Sequence, residues 1–563
     1  MLVVIVCALA SFPIIHHATA YEVSFGQIIR EDTVWTKANS PYSLTGNVLV
    51  SNGATLTIEA GVTVNFYHYI IQVNGTLKVQ GSNSDKVVFT TANRIINNAH
   101  DQLGGINFGD ESSDCIIENT ILETMEFTYY NCRNSITINN NYFKDQRAET
   151  NSGSISVLPT IRGSGNATIT NNIFTGRVQL ACSASVINNT FIEGGVDASD
   201  GSFLFLNNTL TGSSKSPYAD GFGIGVDTFQ RAVISDNYIS NYMEACIRMH
   251  GQALIQRNVI ENKPYMDGYP FFGIEVDGSS PLIENNTITN TGIGIDIYNQ
   301  GVIETKPTII NNNIFNNRDA NLFLGYPERP GYNPSDYSAN SNIDASNNWW
   351  GTTDNQAISQ TIHDSKDRSD LGTVNFTPFL TAPNSQAVPN PNAPTPTLQQ
   401  VSTARFLQAT KDDGQKIELA VYGNSKIMWN SMVNITANLL AATTNVTFVV
   451  RGDEGTSDFF NMTIPKSAVP YGDKPTVYTT GDDIGDLLLQ DQGYSQDTDN
   501  YYVWCTTHFD GYFYGALTIE FTNSQAQSLI PIIAVGVLVT IIIAAALTIL
   551  IYTKKKKNQV LPV

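Results

Sequence analysis

Through the middle of the chain, apolar and polar residues alternate with period two in short runs that keep ending alike. Each closes on an Asn or Asn-like pair, one free position and a large apolar residue. The copies are Ile138-Asn139-Asn140-Asn141-Tyr142-Phe143, Ile169-Thr170-Asn171-Asn172-Ile173-Phe174, Val186-Ile187-Asn188-Asn189-Thr190-Phe191, Leu206-Asn207-Asn208-Thr209-Leu210, Ile234-Ser235-Asp236-Asn237-Tyr238-Ile239, Ile283-Glu284-Asn285-Asn286-Thr287-Ile288 and Ile310-Asn311-Asn312-Asn313-Ile314-Phe315, with looser ones at Asn119, Asn258 and Asn348. A second alternating phrase precedes the pair: Gly223-Ile224-Gly225-Val226-Asp227, Cys246-Ile247-Arg248-Met249-His250, Gly273-Ile274-Glu275-Val276-Asp277 and Gly294-Ile295-Asp296-Ile297-Tyr298. Such alternation predicts short strands with one face inward. Successive pairs lie roughly 17 to 35 residues apart, the scale of one turn of a solenoid rather than of a helix pair.

Asn suits a corner because it tolerates left-handed backbone, and amides repeated about 4.8 Å apart on successive coils can hydrogen-bond along the column. The inward Ile, Val, Leu and Phe then stack into one long core. The pattern resembles the right-handed parallel β-helix proteins, the pectate-lyase-like group that also includes the NosD family, over about residues 40–380. The Leu-x-x-Leu-x-Leu frame of a leucine-rich horseshoe is missing. The resemblance implies an all-β chain whose residues 21–381 form a capped β-helix.

The flanks extend this reading. Residues 1–20 are an apolar run ending Ala18-Thr19-Ala20, which predicts a secretory signal peptide. Residues 21–41 are expected to cover the first coil, with Trp35 as plug. The phrase Asn347-Asn348-Trp349-Trp350-Gly351-Thr352 is similar to one closing β-helix domains in archaeal surface proteins. Asp354 is placed to cap a short helix carrying Ile358 and Ile362. Residues 382–400, rich in Pro, Asn and Thr, predict a semi-extended linker, and 401–524 a β-sandwich domain. Ile464-Pro465-Lys466-Ser467 and Tyr502-Val503-Trp504 resemble a module found just outside the membrane in archaeal surface proteins.

Residues 529–552 carry no charge and predict a single C-terminal transmembrane helix about 36 Å long against a hydrocarbon core of about 30 Å. Lys554 to Lys557 follow, so 553–563 is expected to be a cytoplasmic basic tail on a single-pass cell-membrane protein whose N-terminal part is extracellular. Charged residues make up only 15% of the chain and the formal net charge is −20, which argues against a nucleic-acid partner. The cysteines of the mature chain include no Cys-x-x-Cys pair and read as buried thiols.

Candidate chemistry emerges when the second phrase is aligned coil upon coil. Ile and Val point inward, so Gly225, Arg248, Glu275 and Asp296 form one outward column, and Asp227, His250, Asp277 and Tyr298 the next. The alignment rests on register, since a slip of one residue inverts every assignment. Three readings fit such a patch: a sugar-cleaving site with Glu275, Asp277 and Asp296 as acid, base or calcium ligands; a glycan- or cation-binding face with Tyr298 as platform; or an ordinary solvated face.

The motifs expected of polygalacturonase-like β-helix enzymes are absent, which weakens the first reading. His68, His100, His250, His363 and His508 are scattered, unlike a copper site, and His363, Asp364, Asp367 and Asp370 lack calcium-loop spacing. No metal or cofactor is therefore assigned; calcium has no supporting motif. Among the Asn-x-Ser/Thr sites, Asn434, Asn445 and Asn461 are favoured for glycosylation over Asn188, Asn207 and Asn285, which the corner ladder is expected to hide. The combined expectation is an extracellular surface protein working in adhesion, envelope structure or glycan binding; the alternative is a membrane-tethered polysaccharide lyase or glycoside hydrolase.

Overall fold

The structure, a computed structural model, describes the chain from Tyr21 to Asn523 with breaks at 24–26, 92–103, 124–125, 130–134, 145–156, 213–220, 228–229, 263–270, 300–302, 328–336, 338, 403, 424–425, 428–432, 440, 453–455, 482–484 and 510–512. The expected leader (1–20), the span (529–552) and the basic tail (553–563) lie outside the described residues. Among the described residues, no helix is long and apolar enough to cross a membrane.

Short strands wind into a parallel β-helix with three faces. The first face stacks, among others, Tyr142–Lys144, Ile173–Thr175, Thr190–Ile192, Thr209–Thr211, Tyr238–Ser240 and Val259–Glu261. The second carries Val196–Ala198, Phe222–Val226, Ala245–Met249, Phe272–Asp277, Ile293–Tyr298 and Ala320–Leu324. The third carries Ser202–Leu206, Arg231–Ser235, Gln252–Gln256, Leu282–Glu284 and Thr308–Ile310. Parallel pairing in constant register stacks like on like inside. Phe143, Phe174 and Phe191 form one such column, with ring centroids 4.7 and 5.0 Å apart. These stacks merge into a single core running from Ile29 to Val374.

The Asn pair divides its labour. The first member takes the left-handed backbone at the corner, as at Asn140, Asn171, Asn188, Asn207, Asn285 and Asn311. The second member is buried and builds the ladder through Asn141, Asn172, Asn189, Asn208, Asn237, Asn258, Asn286, Asn312 and Asn348. At each step the backbone N–H and the Nδ2 of one Asn donate to the Oδ1 of the next, as from Asn208 to Asn237 at 2.8 and 3.0 Å. The Nδ2 also donates to a carbonyl of the preceding coil, Val186 O for Asn208. Where the first member is charged, Arg257 clasps Asp236 with two bonds of 2.8 Å. Because the ladder uses the second Asn, the sequon residues Asn188 and Asn207 are exposed, contrary to expectation.

The ends differ from the expectation in detail. Trp35 is buried and stacks on Tyr42 at 4.8 Å. However, Ile28–Ile29 and Thr33–Trp35 pair with the next coil and so form the first coil themselves rather than a cover over it. At the far end Asp354 accepts from Gln356 N and Ala357 N and caps the helix Asn355–Gln360, which buries Ile358. Ile362 lies beyond that helix, in a strand paired with Leu322. Cys115, Cys182, Cys246 and Cys505 are buried, and Cys132 lies outside the described residues.

The segment 382–400 is extended but not a free spacer. Asn384 Nδ2 donates to Asn311 O, Thr287 Oγ1 to Ala387 O and Asn390 N to Asp236 Oδ1, so the chain runs back along the Asn corner. Leu398 and Val401 then cover Leu206, Val233 and Leu254 on the outside of the third face. Beyond it, mostly antiparallel strands from Ala404–Lys411 to Phe513–Thr522 enclose a second core. Their hydrogen-bonded path is continuous and curls on itself: Gln492, in the last strand of the path, bonds Val477 near its start. Among the described residues these strands thus form one hydrogen-bonded path around that core. The curled sheet docks against the β-helix through Ile303–Glu304, which leave the coils and pair antiparallel with Leu407 and Phe406.

Candidate functional site

On the second face Ile224, Ile247, Ile274, Ile295 and Leu322 point into the core, which sets their neighbours outward. One outward column runs Asp197, Gly225, Arg248, Glu275, Asp296, Phe323 and His363. Beside it lie Asp227, His250, Asp277 and Tyr298: His250 N donates to Val226 O, next to Asp227, and Asp277 pairs with Tyr298. The structure therefore brings all seven residues singled out from the sequence onto one flank.

The flank is not the open acidic face that strand parity implies. At each strand start the chain turns a further residue outward, giving the column Phe222, Ala245, Phe272, Ile293 and Ala320. Together with Tyr298, Tyr326 and Tyr337 these make a second apolar layer on the outside of the coils. Tyr326 stacks on Tyr337 at 4.7 Å and meets Tyr298 edge-on at 5.0 Å. Beneath this layer Glu275 is 1% and Asp296 0% exposed, and Asp277 is also buried.

The buried charges are tied together. The Tyr298 hydroxyl donates to Glu275 Oε1 at 2.5 Å, and burial with Glu275 beside it pushes the phenol far up, so it stays a donor. Arg248 Nε donates to Glu275 Oε2 at 3.4 Å and Arg248 Nη2 to Glu244 Oε2 at 2.7 Å. Burial works against the guanidinium charge, but Glu275 and Glu244 outweigh it and hold the group charged.

Toward solvent, Asp227 is exposed, while Asp197, Arg248 and His250 are half-buried. Burial raises Asp227, and Asp197 beside it raises it further. Asp197 is itself raised by burial although Arg177 donates to it at 2.6 Å. Burial lowers His250; its Nδ1 lies 4.0 Å from Asp277 Oδ2, and its buried Nε2 has no hydrogen-bond partner among the described residues. Arg177 and Arg248 both lie over the Phe222 ring, at 4.4 and 4.9 Å. Gly225 is required beneath that ring, since a Cβ there would fall 2.2 Å from Phe222 Cε2.

This arrangement can hold a hydroxyl-rich ligand against aromatic edges and polar groups. It does not present Glu275 and Asp296 to a cleft, as two carboxylates flanking one glycosidic bond must be presented. Among the described residues no three His, Cys, Asp or Glu side chains are grouped to hold a metal. In the loop after His363, Asp364 accepts from Lys366 N and Val374 N, and the His363 ring stacks flat on Phe323 at 4.1 Å. Of the favoured sequons, Asn434 is exposed, while Asn445 and Asn461 are half-buried, with enclosed Oδ1 atoms that have no hydrogen-bond partner among the described residues.

Sequence reasoning missed Asp197, Phe222, Phe323, Tyr326 and Tyr337. Carrying the register one coil further at each end finds Asp197 in Val196-Asp197-Ala198 and Phe323 in Leu322-Phe323-Leu324. Nothing periodic announces Tyr326 or Tyr337, which follow the last strand of the run.

Comparison with known proteins bears on the fold. Residues 160–349 match the right handed beta helix region, and residues 26–158 match the pectate-lyase like beta helix domain. The β-helix is therefore right-handed. No curated protein matches the chain. Among solved structures it is similar to the Dettilon tailspike protein, at 10% identity over 86% of this chain and 88% of that one, with a TM-score of 0.24. It is also similar to a double mutant of the tailspike of E. coli bacteriophage HK620, at 9% identity over 90% and 86%, TM-score 0.27. A third is the tailspike protein of Acinetobacter baumannii bacteriophage Fri1, a capsular polysaccharide depolymerase, at 8% identity over 90% and 87%, TM-score 0.18.

Proposed function

We propose that this chain is a surface protein that binds glycan, without cleaving it, on the second flank of its β-helix. The observation that carries the reading is the two-layer build of that flank. The half-buried rings of Phe222, Phe323 and Tyr337 border a buried polar seam in which Tyr298 bonds Glu275, with Arg248, His250 and Asp227 left at its edge. Sugar rings present apolar faces and hydroxyl edges, which such a shelf matches. Burial of Glu275 and Asp296 speaks against the lyase or hydrolase alternative.

The same reading places the protein outside the cell. It would be anchored by 529–552 as a single-pass span, with 553–563 in the cytoplasm and 1–20 removed. The support is the uncharged run followed at once by four lysines. Asn434 is the sequon best placed to carry a glycan of its own. A glycan array probed with the full-length chain tests the binding: Phe323→Ala is expected to lose the wild-type signal. An array blank for the wild type would end the proposal.

A further inference from the structure

The contact between the β-helix and the curled sheet contains a second cluster of charged groups, of which Glu304 is buried and Lys306 and Glu418 are partly exposed. Ile303–Glu304 join the sheet by pairing with Leu407 and Phe406, and Ile303 sits in the sheet's own core. Glu304 is buried at this point. Its Oε1 accepts from Gln408 Nε2 at 2.9 Å and its Oε2 from Ser341 Oγ at 2.7 Å. Glu418 reaches the same place from the strand Lys416–Gly423. Lys306 contacts Glu418, lies 3.9 Å from Glu304 Oε2, and rests over the Phe406 ring at 5.0 Å.

The charged groups facing Glu304 are thus Glu418 from the sheet and Lys306 from the continuation of its own strand; Ser341 and Gln408 are neutral. With both carboxylates ionised, one cation serves two anions, and the carboxylate of Glu304 is held out of water while Glu418 and Lys306 stay partly solvated. One proton on Glu304 removes that charge without breaking the bonds from Ser341 and Gln408.

We propose that this junction is an acid-set clasp: a proton held on the buried carboxyl of Glu304 keeps the curled sheet docked on the β-helix, and its loss at higher pH releases the sheet. Burial raises Glu304 above its ordinary value of 4.5, Glu418 adds to this, and Ser341 and Lys306 oppose it. A group raised in the docked state stabilises docking fully below its ordinary value, and the contribution is lost as pH rises through the raised one. Release would also loosen the hold of Arg231, which donates to Leu398 O and Val401 O, on the chain entering the sheet.

Hydrogen exchange of the full-length chain between about pH 5 and about pH 8.5, corrected for intrinsic rates, tests the clasp. Amides of Ile303–Glu304 and of the facing residues of Ala404–Lys411 are expected to lose protection as pH rises, by up to about tenfold per pH unit for one proton. Glu304→Gln, and separately Glu418→Gln, are expected to remove that slope while leaving protection high at all pH values. Protection independent of pH in the wild type would overturn the inference. So would an unchanged slope in both variants.

Discussion

The hydroxyl of Tyr298 and the carboxylate of Glu275, 2.5 Å apart, join neighbouring coils outside the hydrophobic core. Glu275 is enclosed, so this bond and the one from Arg248 keep its charge satisfied. Tyr298→Phe keeps the ring packing against Tyr326 but removes the donor. The expected cost is about 1–3 kcal/mol, read as a lower thermal midpoint. An unchanged midpoint would mean that the carboxylate is satisfied without Tyr298.

The buried and the left-handed positions of the Asn corner, Asn237 and Asn207 on two neighbouring coils, are expected to respond differently. Asn237 Oδ1 accepts from Asn208, and its Nδ2 donates to Phe205 O and Asn258 Oδ1. Asn237→Ala strands several buried groups at once and is expected to cost about 2–5 kcal/mol. Asn207, exposed and left-handed with φ 54°, tolerates Gly with little loss, whereas Asn207→Val forces a branched side chain into that conformation at about 1–3 kcal/mol. Denaturant midpoints of the three variants check the order.

His250 gives a pH dependence of definite sign. Burial lowers its imidazole below the ordinary 6.5, with Glu275 pulling the other way. Its contribution to stability is complete above 6.5 and is lost as pH falls through the depressed value. An NMR titration of the ring is expected to show a midpoint below 6.5, and His250→Gln to flatten the acid limb of the stability curve. A midpoint above 6.5 would show that Asp277 and Glu275 dominate instead.

Gly225 supports the flank by being small. Gly225→Ala pushes against the Phe222 ring, whose far edge can swing away from Arg177 and Arg248. A modest loss of stability is expected together with a change in the Phe222 ring signals. Retention of the ring position would place the clearance elsewhere.

Much of this was legible in the chain itself, because a parallel solenoid repeats one local rule. Ile247, Ile274 and Ile295 specify the inward rows, and from them the columns holding Arg248, Glu275 and Asp296 follow. The burial of those columns was not legible. Phe272 and Ile293 face outward only because the chain bends before each strand, and Tyr326 and Tyr337 arrive from a loop without period. The docking of 382–400 was hidden for a related reason: Asn384 and Asn390 bond to backbone and corner groups spread over several coils. Composition gives an extended segment but not the surface it lies on.

Titration calorimetry with the strongest array ligand tests the flank most directly, comparing wild type with Arg248→Ala and with Ile192→Ser on the exposed first face. Arg248→Ala is expected to weaken binding by about tenfold or more, and Ile192→Ser to leave it within about twofold. The reverse pattern, with affinity surviving Arg248→Ala and falling with Ile192→Ser, would contradict the assignment of the flank as the binding face.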